Sequence, residues 1–203
     1  KNKPEEAIKV IEESGGQLSQ EDKAKLYTLV GDAYYNLKEF DKAITNYQLA
    51  LGMSDKNMNA SLGCAKAYLQ NGQIEKAKDL LNISYDGDML LESQLLLSYV
   101  NSLSDTKKAE EIIKNVQPSD KWRDIYTKWD NVLNNLNEDD LFNSAKLGKE
   151  YVDEGYPYLA IALLEPKLTK MGEYADGMYI LGKAYYEYGD FSKSIDILQD
   201  IST

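Results

Sequence analysis

A small residue followed four positions later by a large one recurs along this chain, on segments whose apolar residues keep helical spacing. The pairs are Ala7/Ile11, Ala43/Tyr47, Ala77/Leu81, Ala109/Ile113, Ala160/Leu164 and Ser194/Leu198, and their small members stand 36, 34, 32, 51 and 34 positions apart. Upstream of five pairs lies a second signature at i, i+3, i+4 and i+7, one face of a helix. It reads Tyr27/Val30/Gly31/Tyr34, Ser61/Cys64/Ala65/Tyr68, Ser93/Leu96/Leu97/Val100, Ser144/Leu147/Gly148/Tyr151 and Met178/Leu181/Gly182/Tyr185. Between the two signatures, Gly72, Gly155 and Gly189 suit the left-handed turn that closes a helix. Pro157, and Pro4 with Glu5 and Glu6 behind it, suit a first helical turn. Each unit is therefore a helix, a tight turn and a second helix. A single hairpin cannot bury both its faces, so stability has to be shared between neighbours in a stack.

The two best copies are GDAYYNLKEFDKA at 31–43 and GKAYYEYGDFSKS at 182–194. With YTLVGDAY…AITNY at Tyr27 to Tyr47, the pattern resembles the tetratricopeptide repeat, W-x2-L-G-x2-Y followed by A-x3-F, with Tyr in the Trp and Phe places. The last copy has Met178 for Trp and Ser194 for Ala, and the third has Leu97 where a small residue is usual. The resemblance implies an all-α fold, a right-handed α-solenoid of antiparallel helix hairpins. Residues 1–16 are expected to supply the second helix of a partial repeat, and 24–57, 58–89 and a degenerate 90–118 three repeats. An extra helix or joint is expected over 119–140, then repeats at 141–174 and 175–203. The small residues Gly31, Ala65, Gly148 and Gly182 are expected where the two helices of a hairpin approach closely.

The interval of 51 contains PSDKWRDIYTKWDNVLNNLNEDD, residues 118–140. Pro118 ends one helix, Ser119 or Asp120 caps the next, and Trp122, Ile125, Trp129, Val132, Leu133 and Leu136 share an apolar face. This predicts one additional unpaired helix interrupting the array. Its tryptophans read as core sealing an irregular joint, with a partner-facing surface as the alternative.

Composition removes most chemistry. Among 203 residues there is no histidine, and so no usual general base, Ser-His or Cys-His pair, or ordinary zinc site. The single Cys64 sits at an apolar repeat position and reads as a buried spacer. GMYILGKA at 177–184 imitates a phosphate-binding loop but ends in Ala184 where Ser or Thr would hold magnesium, and its interior is amphipathic helix. The acidic runs NEDD and YDGD lack calcium-loop spacing. No enzyme activity, metal or cofactor is expected. A net charge of −11 disfavours nucleic acid. No stretch approaches the ~20 apolar residues of a membrane span. Starting at Lys1, the sequence reads as a processed protein or a domain of a longer one; the compartment is open, with the cytoplasm slightly favoured.

The resemblance implies a non-catalytic interaction scaffold whose first helices line a concave groove for a partner peptide or helix. By register the groove takes Lys25, Thr28, Asp32, Tyr35 and Asn36, then Asn59, Leu62, Lys66 and Gln70, then Gln94, Ser98 and Asn101. After the joint come Phe142, Lys146, Lys149 and Asp153, then Asp176, Tyr179, Lys183, Tyr186 and Glu187. Thr28 and Asp32 stand where chaperone-binding members carry Lys and Asn, which argues against a chaperone tail as ligand. Lysines 66, 146, 149 and 183 beside tyrosines suggest an acidic partner segment. The alternatives are a regulatory or docking array of a larger enzyme or of an envelope or secretion assembly, and a module that self-associates weakly through open array ends.

Overall fold

The computed structural model describes residues 3–13, 17–172 and 174–201, so parts of the expected segments 1–16, 141–174 and 175–203 lie outside the described residues. All regular structure among these residues is helical. The chain divides into two compact units, 1–93 and 94–203, and the division falls within one helix. Each unit is all-α among the described residues and is built around antiparallel helix hairpins.

Unit 1 contains α1 (Pro4–Glu13), α2 (Gln20–Asn36), α3 (Phe40–Met53), α4 (Met58–Gln70), α5 (Ile74–Leu81) and the start of α6 (Gly87–Ser102). Helices α2 and α3 form one hairpin and α4 and α5 the next, and α4 packs on both α2 and α3. Sequence explains the close approach: a Cβ placed on Gly31 would lie 2.6 Å from the Tyr47 ring, so only glycine lets that ring lie against the first helix. The partners are 16 residues apart, and Gly148 with Leu164 and Gly182 with Leu198 repeat the arrangement in unit 2. Polar stitches join successive hairpins. Asn57 caps α4 by accepting from the Ala60 amide (3.1 Å), and its own amide donates to Thr28 Oγ1 (2.9 Å). Gln48 Nε2 donates to the Tyr68 hydroxyl and Asn71 Nδ2 to Asp41, both at 2.7 Å.

Four of the hairpin turns close through a left-handed residue, and the α6–α7 turn at 103–105 does not. Gly72, Gly155 and Gly189 all have positive φ, as expected of helix-closing glycines. In the α2–α3 turn the same place is held by Lys38, at φ 61°, where a Cβ is strained.

Unit 2 holds the rest of α6, then α7 (Thr106–Lys114), α8 (Asp120–Asn134), α9 (Asp140–Asp153) and α10 (Pro157–Leu164). After a 3₁₀ turn at Glu165–Lys167 come α11 (Leu168–Met171), α12 (Ala175–Tyr188) and α13 (Phe191–Asp200). Pro166 breaks the second helix of the fourth copy into α10 and α11, because its ring cannot follow the α-helical turn before it. The period-breaking helix is α8, of 15 residues, and it packs against α7 and α9.

Within α8, Tyr126, Trp129 and Leu133 are buried while Trp122, Ile125 and Val132 are half-buried, as is Leu136 just beyond it. Trp129 is fully enclosed: its ring meets Tyr99 edge-on at 4.6 Å, and its Nε1 donates to Ser98 Oγ (2.8 Å), which in turn donates to the Ala109 carbonyl (2.7 Å). Tyr151 of α9 joins the cluster, with its hydroxyl 2.6 Å from Ser102 Oγ. Nearby, Lys128 lies 2.7 Å from both Glu150 and Glu154, and burial pushes the Glu150 carboxyl up despite that lysine.

Candidate functional site: two grooves of unlike chemistry

Each unit presents a groove along its first helices. In unit 1 it lies between α2 and α4 with the start of α6, about 500 Å³ in volume, and is lined by Lys25, Thr28, Asp32, Asn59, Leu62 and Lys66 among others. Sequence reasoning missed Met89 and Glu92, which close its far side from α6. Its charges are already satisfied. Lys66 pairs with Glu92 and Lys25 with Glu21, both at 2.7 Å, while Asp32 accepts the Tyr47 hydroxyl at 2.7 Å. Thr28 and Leu62 are buried. Tyr35, Asn36 and Gln70 do not line this groove: Tyr35 is half-buried under Lys66, whose ammonium sits 5.8 Å from the ring centre, and burial pushes its phenol up.

The degenerate copy contributes less surface than its register suggested. Gln94 is half-buried, whereas Ser98 and Asn101 are buried. Ser98 lies under Trp129, and the Asn101 amide is turned onto the Leu97 carbonyl at 2.7 Å. The assignment of Asn101 to a binding surface is corrected accordingly: its donor is spent inside its own helix, as a buried amide requires.

In unit 2 the groove runs between α9 and α12, about 470 Å³. Its floor is apolar, from Ala145, Val152 and Ile180, with exposed Phe142 and Tyr179 and half-buried Tyr174 on the walls. Lys146, Lys149 and Lys183 line the same groove, with Asp176. Asp153 accepts from Lys149 at 2.5 Å and from Lys183 at 3.1 Å, and the Lys149 hydrogen bond is the main cause holding its carboxyl below the usual range. Lys146 reaches the Asn135 carbonyl at 3.1 Å and lies 5.5 Å from the Phe142 ring centre. Three lysines thus stand against the carboxylates of Asp153 and Asp176, an excess of positive charge in a chain of net −11. Sequence register found the lysines, Phe142, Tyr179 and Asp176 but missed the apolar floor, although Ala145 and Val152 stand at the counterparts of Thr28 and Tyr35. Tyr186 and Glu187 do not line this groove; both are exposed, and Tyr186 pairs with Phe191 at the start of α13.

The remaining motifs are structural. Residues 177–184 lie inside α12, without a loop to cradle phosphate. Cys64 is buried, and desolvation pushes its thiol up to about 12. Of the NEDD run, Asp139 caps α9 through the amides of Leu141 and Phe142 at 3.0 Å. Among the described residues no group of three or more His, Cys, Asp or Glu is placed to hold a metal ion, and no helix is long and apolar enough to cross a membrane.

No curated protein matches the chain significantly. Among solved structures it is similar to YrrB, a TPR protein with an unusual peptide-binding site, at 19% identity over 98% of this chain and 92% of that one, with a TM-score of 0.43. It is also similar to MamA (18% identity, 89% and 90% covered, TM-score 0.41). A third likeness is to the TPR2AB domain of yeast Sti1 in complex with pHSP90 (20% identity, 88% and 76% covered, TM-score 0.40). The tetratricopeptide-repeat family profile matches residues 37–83, which span α3 to α5. That match lies within unit 1, and the same glycine-to-large contact 16 residues apart recurs in hairpins of both units.

Proposed function

We propose that this scaffold captures a partner protein through the α9–α12 groove of unit 2, and that the captured segment carries acidic side chains beside apolar ones. Tetratricopeptide-repeat arrays are protein-interaction modules, and the choice between the two grooves rests on chemistry. The carrying observation is the apolar floor of Ala145, Val152 and Ile180 under exposed Phe142 and Tyr179, with three lysines alongside. Aromatic and aliphatic surface supplies the affinity, because it is costly to leave in water. The lysines supply orientation and encounter rate, because exposed charges steer more than they hold.

A concrete test uses a short synthetic peptide alternating Asp or Glu with Leu and Phe, followed by fluorescence anisotropy against the full chain. Binding is expected to weaken as salt rises. The double change Lys149→Glu with Lys183→Glu should lower affinity by about tenfold or more, while Lys25→Glu with Lys66→Glu should leave it alone. Equal binding by the unit 2 variant and the unaltered chain would remove the proposal.

A further inference from the structure

The repeated phrase permits a comparison within the molecule, since residues 24–49 of the α2–α3 hairpin have counterparts 151 positions later in α12–α13. Both copies build the same aromatic shelf. Tyr35 meets Phe40 edge-on with centroids 5.5 Å apart and planes at 64°; Tyr186 meets Phe191 at 5.5 Å and 61°. In both, the preceding tyrosine is held by a lysine over its ring, Lys42 over Tyr34 at 5.2 Å and Lys193 over Tyr185 at 4.8 Å. A glutamate from an earlier helix accepts each hydroxyl, Glu5 from Tyr34 and Glu165 from Tyr185.

What differs is the cover. In unit 1, α4 lies over the shelf: Lys66 stands over Tyr35, Gln70 hydrogen-bonds its hydroxyl, and Gly63 sits so close to Tyr47 that a Cβ would fall 2.6 Å from the ring. Ile44 beside it is 7% exposed. In unit 2 the counterparts stand open, with Tyr186 60%, Phe191 57% and Ile195 54% exposed. An exposed aromatic and aliphatic cluster of this kind marks an interaction surface.

We infer that the shelf of Tyr186, Phe191 and Ile195 docks a basic amphipathic helix of a partner polypeptide, seated as α4 is seated on the first shelf. The occupant presents a small residue toward Leu198, a Lys or Arg over Tyr186 three positions later, and an amide side chain four positions after that, the spacing of Gly63, Lys66 and Gln70. Charge decides against a second copy of this chain. The carboxylates of Glu187 and Asp196 flank the open shelf, while Lys193 is bound to Glu165 at 3.1 Å and Lys183 to Asp153 at 3.1 Å. The exposed side of α1 offers Glu6, Glu12 and Glu13 against Lys3 and Lys9, which pair with Glu6 at 2.5 Å and Glu13 at 3.6 Å, so the carboxylates remain in excess and a copy docking head to tail would bring acidic surface to acidic surface.

The test uses the full ¹⁵N-labelled chain and, as probe, a synthetic peptide of residues 54–82 carrying Cys64→Ser to prevent disulfide exchange. Expected are chemical-shift changes concentrated on Tyr186 to Ile195, abolished by Phe191→Ser with Ile195→Glu in the chain. Lys66→Glu in the peptide should weaken binding by about tenfold. Both altered chain residues are exposed, so an unchanged circular dichroism melt checks that the loss is not one of folding. The groove variant Lys149→Glu with Lys183→Glu should bind this probe normally, which separates this site from the one proposed above. Absent shifts, or shifts centred elsewhere, would overturn the inference. So would a concentration-dependent dimer in sedimentation that Ile195→Glu abolishes, because the occupant would then be a second copy.

Discussion

The two grooves are nearly equal in volume, about 500 and 470 Å³, and both follow first helices of the same repeat, yet they differ in what they leave unsatisfied. In unit 1 each lysine has its own carboxylate, and the polar wall is closed by Glu92. In unit 2 two lysines share Asp153, and the floor between them is apolar. The backbone is therefore a neutral template. Binding character is decided by whether neighbouring hairpins supply counter-charges, which is a property of residues on different helices.

The sharpest way to break the symmetry between the units is at Trp129, which has no counterpart in unit 1. Trp129→Ala removes a fully buried ring and takes away the N–H that Ser98 Oγ accepts, so a loss of about 3–5 kcal/mol is expected. Hydrogen exchange should show protection falling over α6 to α9 before it falls over α2 and α3. Equal loss in both units would mean that they unfold as one.

A smaller effect sharpens the difference between the grooves. Asp153→Asn releases Lys149 and Lys183 from their shared partner, and affinity for an acidic peptide should rise roughly fivefold, as expected for partly exposed charges. The sign follows from the lowered Asp153 carboxyl: its pairing is complete above the unfolded carboxylate pKa and is lost as pH falls through the lower folded value. The Asn variant should accordingly lack that part of the pH dependence in an acid titration of stability.

The smallest effect compares the two turns. Lys38→Gly relieves a left-handed residue and should stabilise the chain by about 0.5–1 kcal/mol, whereas Gly189→Ala at the matching turn should cost a similar amount. Urea denaturation measures both, and a destabilised Lys38→Gly would show that the lysine side chain contributes more there than its backbone strain costs.

The hairpins were legible because their signals are local: small and large residues at fixed spacing, and glycines at turns. Lys38 was not, since nothing about a lysine announces a left-handed backbone, although aligning it with Gly189 would have pointed there. Pro166 was visible in the sequence but was masked by the strong Ala160/Leu164 pair. The groove was only half legible. Register located Lys146, Lys149, Lys183 and Tyr179, but it placed Asn101 at a surface that folding buries. Register also placed Tyr186 in the groove, which it does not line. Met89 and Glu92 escaped because they enter from the next hairpin, at positions outside the repeat signature.

The placement of Trp129 also has an optical consequence. Both tryptophans of the chain, Trp122 and Trp129, lie on α8, while unit 1 carries only tyrosine and phenylalanine as aromatics. Emission excited where indole alone absorbs therefore reports from the joint and from nowhere else. One of its two fluorophores is sealed beside tyrosine rings and the other is half in water. A spectrum of the unaltered protein thus contains an internal gauge: loosening of the joint moves the Trp129 component toward red while unit 1 stays dark.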